Sequence, residues 1–176
     1  LLDMALRLAV PVTGRMMHSK TGELAYQAYG QEAERNYSVS RATLNRFLLD
    51  AAERNGAEVF FDHELSELDV AEKTAVFANG ESSVEVKYDL LFGADGAGSA
   101  VRKSLVRQKK SQEKVDWLEA EYLELHLPKG EDGLERIEKT VLHIWPRGSH
   151  MMMALANLDG SFTVTLYLPK LGPVSF

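Results

Sequence analysis

The stretch YDLLFGADGAGSAVRKSL, residues 88–105, constrains this chain more than any other. An apolar run ends in Gly-Ala-Asp-Gly and passes at once into a helical pattern. The run DLLFGAD is apolar almost throughout, as a strand covered on both faces would be, and Ser99 can cap a helix over about residues 97–108. The glycines are spaced G-x-x-G-x-G, whereas the dinucleotide fingerprint is G-x-G-x-x-G, and no Gly-Lys-Ser/Thr follows as in a P-loop. Two readings stay open on spacing alone. In the first, a ligand binds at the carboxyl end of a strand, where helix N–H groups favour an anion such as a pyrophosphate and Asp95 can take a hydroxyl or amide proton. In the second, Asp95 and Gly96 only make a turn and Ser99 only caps a helix.

The rest of the chain surrounds this joint with mixed α/β patterning. Residues 1–9 read as helical, and 10–19 and 24–30 as extended, with KTGE as the turn between them. In SVSRATLNRFLLDAAERNG, Ser40 can N-cap a helix whose stripe is Leu44, Phe47, Leu48, Ala51 and Ala52, and Gly56 supplies a left-handed stop. AEVFFDHELSELDV reads as a strand, and TAVFANGESSVEVKYD as a hairpin turning at Asn79-Gly80. Past residue 112 four further strands follow: KVDWLEAEYLELHLP, TVLHIWP, HMMMALANL and SFTVTLYLP. The expectation is an α/β chain, α+β within these residues. Residues 1–111 would form a mixed α/β segment with a hairpin at about 11–30, and residues 112–176 an antiparallel sheet.

Composition removes several function classes. The chain has 176 residues, 45% hydrophobic and 26% charged, as expected for a globular protein. A net charge of −6 argues against nucleic acid or an anionic membrane as partner. The one basic cluster, Arg102, Lys103, Arg107, Lys109 and Lys110, falls at a helix end, where cations are favoured. The absence of Cys excludes disulfides and thiolate zinc sites. No apolar stretch approaches the ~20 residues of a membrane span, and a cytoplasmic location is expected. The five histidines, at 18, 63, 126, 143 and 150, show no ligand spacing, so they read as structural and no metal is expected. One face of Met151–Met153 reads as core, and Trp117 and Trp145 as packing residues. The opening LLDMALRLAV, without an initiator Met, suggests a piece of a longer protein.

A family resemblance adds to this. DLLFGADGAGSAVRKSL is similar to the Asp-Gly motif of the flavoprotein aromatic hydroxylases, the class with the p-hydroxybenzoate hydroxylase fold. There an apolar strand precedes G-x-D-G-x-x-S-x-V-R, filled here by Gly93, Asp95, Gly96, Ser99, Val101 and Arg102. Within that class, GRMMHSKTGELAYQAYG, SVSRATLNRFLLDAAE and LHIWPRGSHMMMALANLDGSFTVTLYLP resemble the kynurenine 3-monooxygenase family. The resemblance implies an FAD-dependent, NADPH-using monooxygenase as the parent protein, which places one atom of O2 on L-kynurenine at ring position 3. The alternatives are a related hydroxylase with another aromatic substrate and a structural fragment without catalysis.

The resemblance also implies domains and site residues: residues 1–111 would be part of a Rossmann-like FAD-binding domain including a substrate-contacting hairpin at about 11–30, and residues 112–176 would begin an antiparallel substrate-domain sheet. Arg41 and Asp95 with Gly96 would serve FAD by side chain and turn, and Leu65 and Ala100 through their main chains. Arg15 and Tyr29 would hold the substrate carboxylate, as cross-strand neighbours if the hairpin centres on Thr21-Gly22. No residue is expected to act as a nucleophile or a metal ligand, because the flavin carries the chemistry. The family's G-x-G-x-x-G element would precede Leu1 and its Gly-Asp motif would follow Phe176. The piece alone is therefore expected to be inactive, not to retain FAD, and to self-associate through DLLFGAD.

Overall fold

The computed structural model describes residues 1–31 and 34–175 and divides into two compact units, 1–57 with 118–176, and 58–117. The first unit is built on a six-stranded sheet. Its strands are β2 (Gly14–His18), β3 (Leu24–Ala28), β8 (Ala120–Leu127), β9 (Val141–Pro146), β10 (Met151–Ala156) and β11 (Phe162–Pro169), in the order β3-β2-β9-β10-β11-β8. All neighbours are antiparallel except β2 and β9, which run parallel with Gly14 opposite Val141 and Met17 opposite Ile144. A separate ribbon pairs β1 (Ala9–Val12) with β4 (Asn36–Val39). The second unit holds the meander β5 (Glu64–Asp69), β6 (Thr74–Asn79) and β7 (Ser82–Lys87) and the helix α3 (Ala100–Arg107).

Alternation places the core. Met152, Ala154 and Ala156 on β10 share a face with Phe162 and Val164 on β11, and Val10, Leu127, Ile137 and Trp145 pack against them. Phe162 and Ala156 are fully buried. Met152 thus belongs to the core side of the methionine run, and Met151 and Met153 point the other way.

The helix α2 (Arg41–Arg54) starts where the sequence indicates: Ser40 Oγ accepts from Thr43 N at 3.5 Å, and Gly56 takes φ +89°. The Asn79-Gly80 turn also forms, with Asn79 paired to Ser82 and Gly80 at φ +59°. No helix among the described residues is long and apolar enough to cross a membrane.

Four local expectations are corrected. The first helix, α1, covers only Leu2–Leu6. The segment before Glu64 is not strand: Phe60 and Phe61 are exposed and Asp62 takes φ +57°. DLLFGAD forms no strand, because no described segment lies beside it to complete a ladder; Leu90 is 72% and Phe92 82% exposed. Trp117 is 83% exposed and lies outside the core, whereas Trp145 packs against it.

Candidate functional site

In the second unit the Asp-Gly segment wraps the start of α3. The Ser99 hydroxyl accepts from Arg102 N at 2.9 Å and donates to Asp95 Oδ1 at 2.6 Å, while Asp95 Oδ2 accepts from Val101 N at 3.1 Å. Asp95 is therefore a cap in its own right, with both carboxylate oxygens engaged. These bonds, the Ser99 hydroxyl first, hold its carboxyl down to about 2 from an ordinary 3.8. Gly96 is at φ +73°, where a side chain would be strained. A Cβ on Gly93 would come within 2.9 Å of Val101 Cγ1, so glycine lets the chain cross tight against the helix. Arg102 folds back on its own segment, with Nε 2.9 Å from Glu113 Oε2 and Nη2 donating to the Ala97 carbonyl.

Next to this turn lies an open cleft of about 920 Å³, bordered by Leu65, Phe77, Gly93, Asp95, Gly98 and Ala100 among others. It brings together three of the five residues expected at the cofactor, Leu65, Asp95 and Ala100. Gly96 makes the adjoining turn without lining the cleft. Leu65 precedes an irregularity in the β5–β6 pairing, where Ser66 is skipped between the Leu65–Phe77 and Glu67–Val76 pairs. Beyond where side chains on Gly96 and Gly98 would begin, nothing lies within 4 Å.

The first unit carries the other expected residues. Arg41 is the first residue of α2, exposed, and forms no ion pair among the described residues. It lines a groove of about 550 Å³ whose floor is the sheet face opposite the core, including Met153, Leu155, Thr165, Tyr122 and Tyr167. The sequence reading missed these floor residues. Their signal was the alternation of β8, β10 and β11, which sets them opposite the core positions.

Arg15 and Tyr29 do meet, by a different register from the one expected. Arg15 pairs with Gln27, and Tyr29 N donates to Thr13 O at 3.1 Å. The hairpin centres on Thr21: Gly22 N donates to Ser19 O, Ser19 N to Glu23 O, and Gly22 takes φ +90°, a three-residue loop with glycine in the left-handed position. The pairing slips by two residues, which preserves the face. The Arg15 guanidinium consequently lies over the Tyr29 ring, 5.5 Å from its centre. Arg15 is opposite Leu142 on β9, so it projects from the same sheet face as Met153 and Tyr167.

Fold and site together describe a mixed α/β chain with a glycine-turn cleft and a sheet-floored groove. A family profile described as an FAD binding domain matches residues 4–167, and the chain belongs to that family. Proteins named kynurenine 3-monooxygenase from Flavobacterium johnsoniae and Stenotrophomonas maltophilia are 41% and 42% identical to it, each over 99% of the chain. The chain spans 39% of the length of these curated relatives. Among solved structures it is similar in fold to CtdE in complex with FAD and a substrate (TM-score 0.72, 15% identity, 97% of this chain and 43% of that one). It is also similar to the flavin-dependent halogenase CmlS (TM-score 0.69, 14% identity, 96% of this chain and 31% of that one). The residues present fit FAD: the cleft is open, and its glycine turn leaves room for a pyrophosphate to approach the backbone.

Proposed function

We propose that this chain is part of an FAD-dependent, NADPH-using monooxygenase that hydroxylates L-kynurenine at ring position 3. A related hydroxylase with another aromatic substrate is the reading it competes with. The observation that carries the proposal is Arg15 stacked on Tyr29 on the face that floors the groove. A guanidinium fork beside a phenolic hydroxyl is a receptor for a carboxylate, and kynurenine carries one on its amino-acid tail. The identity to proteins named kynurenine 3-monooxygenase runs along nearly the whole chain and supports the same substrate.

The chain's own residues divide the work. Arg15 and Tyr29 hold the carboxylate and so orient the ring. The apolar floor, Met153 and Leu155 with Tyr167, shields the ring from water. Leu65 and Ala100 offer main-chain contacts to the cofactor, and Arg41 offers a cation to its pyrophosphate. Asp95, with Gly96, shapes the turn; its carboxylate already occupies the α3 cap, so its part is to fix the backbone the cofactor meets. When bound, FAD reduced by NADPH supplies the oxygen chemistry of the hydroxylation. The enzyme works on a small molecule and O2, with no nucleic-acid partner, in the cytoplasm.

The test is NADPH oxidation by the full-length protein. Oxidation stimulated by L-kynurenine, with 3-hydroxykynurenine as product, is expected. Stimulation by a different aromatic acid and none by kynurenine would replace the substrate. A full-length protein without flavin absorbance would end the enzyme reading.

A further inference from the structure

Behind Arg15, on the core face of the same strand, lies a cluster that the reaction does not use. His18 ends β2, and its Nε2 is 2.8 Å from His143 Nδ1. His143, only 3% exposed, places Nε2 at 2.7 Å from the Glu138 carbonyl. A carbonyl can only accept, so His143 carries its proton on Nε2 and leaves Nδ1 as an acceptor. His18 therefore donates from Nε2. The His18 ring stacks on Trp145 with centroids 4.1 Å apart, and Arg147 Nη1 donates to the His18 carbonyl at 3.1 Å. These contacts lie where the hairpin is most in need of support. β3 is the sheet's edge, exposed along its whole length, and the β2–β9 ladder ends at Met17. Among the described residues, the hairpin is attached to the sheet by that short ladder, the Thr13–Thr140 bonds at its start and the His18 cluster, with Arg147 reaching the Ser19 carbonyl as well.

We infer that His18 is a positioning residue: its directed bond to His143 and its stack on Trp145 lock the β2–β3 hairpin onto β9, and so set Arg15 and Tyr29 for the substrate carboxylate. The inference rests on the proposed substrate role of that pair. Charging His18 works against the lock, because it would place a cation in a part-buried site beside Arg147. The groups acting on His18 are His143 and Arg147, with Glu138 acting in turn on His143; the β10 residues beside them, Met152 and Ala154, are apolar. Burial first, then His143 and Arg147, holds His18 below its ordinary 6.5. The folded state then binds fewer protons than the unfolded one, so the lock is strongest above about pH 6.5 and weakens as pH falls below it.

The test uses the full-length protein, with kynurenine affinity and hydrogen exchange of the Gly14–Ala28 amides followed at pH 8 and pH 5.5. In the wild type, acidification should weaken kynurenine binding and lower the protection of the hairpin amides, taken relative to the intrinsic exchange rate at each pH. His18→Ala should raise the kynurenine KM about five- to tenfold at pH 8, the size of a lost hydrogen bond and more, with kcat and FAD content little changed. His18→Gln keeps a donor for His143 without an ionisable ring; it should bind near wild-type at pH 8 and show a smaller acid step in both readouts. A His18→Gln acid step equal to the wild type's, or hairpin protection indifferent to pH in the wild type, overturns the inference. Because exchange needs no substrate, it decides the lock even if kynurenine proves not to be the ligand, an outcome that would fall on the substrate assignment alone.

Discussion

The Arg15 guanidinium carbon lies 5.5 Å from the centre of the Tyr29 ring although the residue paired with Arg15 across the hairpin is Gln27. Contact is diagonal, through a cation–π interaction. The Arg15 charge is thereby oriented without being neutralised, and no carboxylate forms an ion pair with it among the described residues. Arg15→Ala in the full-length protein should weaken kynurenine binding about tenfold to 150-fold, the ~1.5–3 kcal/mol of a hydrogen bond to a charged group. FAD content should be unchanged. Tyr29→Phe keeps the ring under the guanidinium and should cost less. Titration with kynurenine followed by flavin absorbance measures both, and unchanged affinity in Arg15→Ala would remove the pair from the site.

Asp95 gives a pH signature. Its carboxyl is held down to about 2 by the Ser99 hydroxyl and the Val101 N–H. A depressed carboxylate stabilises the fold above its unfolded value and loses that effect as pH falls through its folded value. The stability gap between wild type and Asp95→Asn should therefore be constant above about pH 4 and close towards pH 2. Exchange of the Val101 amide reports it directly. A gap that does not change between pH 5 and pH 2 would show that the Asp95 cap is not formed. At neutral pH, Asp95→Ala and Arg41→Ala in the full-length protein should each weaken FAD retention or slow flavin reduction by NADPH.

What the sequence could and could not show follows from the range of each interaction. The α2 cap at Ser40, the Asn79-Gly80 turn and the four strands after residue 112 depend on neighbours a few residues away, and all were legible. The parallel β2–β9 pairing joins residues some 127 apart, Gly14 with Val141, and nothing local announces it. The hairpin register failed for a local reason. Pairing Arg15 with Tyr29 puts the centre of the turn at Gly22, whereas the three-residue loop is centred on Thr21 and uses Gly22 in the left-handed position. DLLFGAD misled because an apolar run carries strand propensity but no partner. The Asp-Gly joint was legible as a turn and cap, while the part Asp95 takes in capping needed coordinates.

Phe162 tests the core of the first unit. It is fully buried among Val10, Ala154, Ala156 and Val164, and its ring meets His143 edge-on at 6.2 Å. Phe162→Ala should cost about 3–5 kcal/mol in urea unfolding, transfer and cavity terms together. Phe162→Leu should cost distinctly less, since it retains most of the volume. A loss under 1 kcal/mol for the alanine variant would mean that the sheet's core lies elsewhere.

The 176-residue chain by itself should neither retain FAD nor stay monomeric. It spans 39% of the length of its curated relatives. Its second unit also leaves Phe60, Phe61, Leu90 and Phe92 all more than 60% exposed. Apolar surface on that scale marks an interaction face or an aggregation liability in a soluble domain. Leu90 and Phe92 lie in a segment with no sheet ladder, so charges there break no backbone pairing. Leu90→Lys with Phe92→Lys should therefore shift the chain towards monomer in light scattering while its circular dichroism stays the same. Stoichiometric FAD on the purified chain would refute the first expectation. A wild-type chain that is monodisperse and monomeric at high concentration would refute the second, and association undiminished in the double variant would place the sticky surface at Phe60 and Phe61 instead.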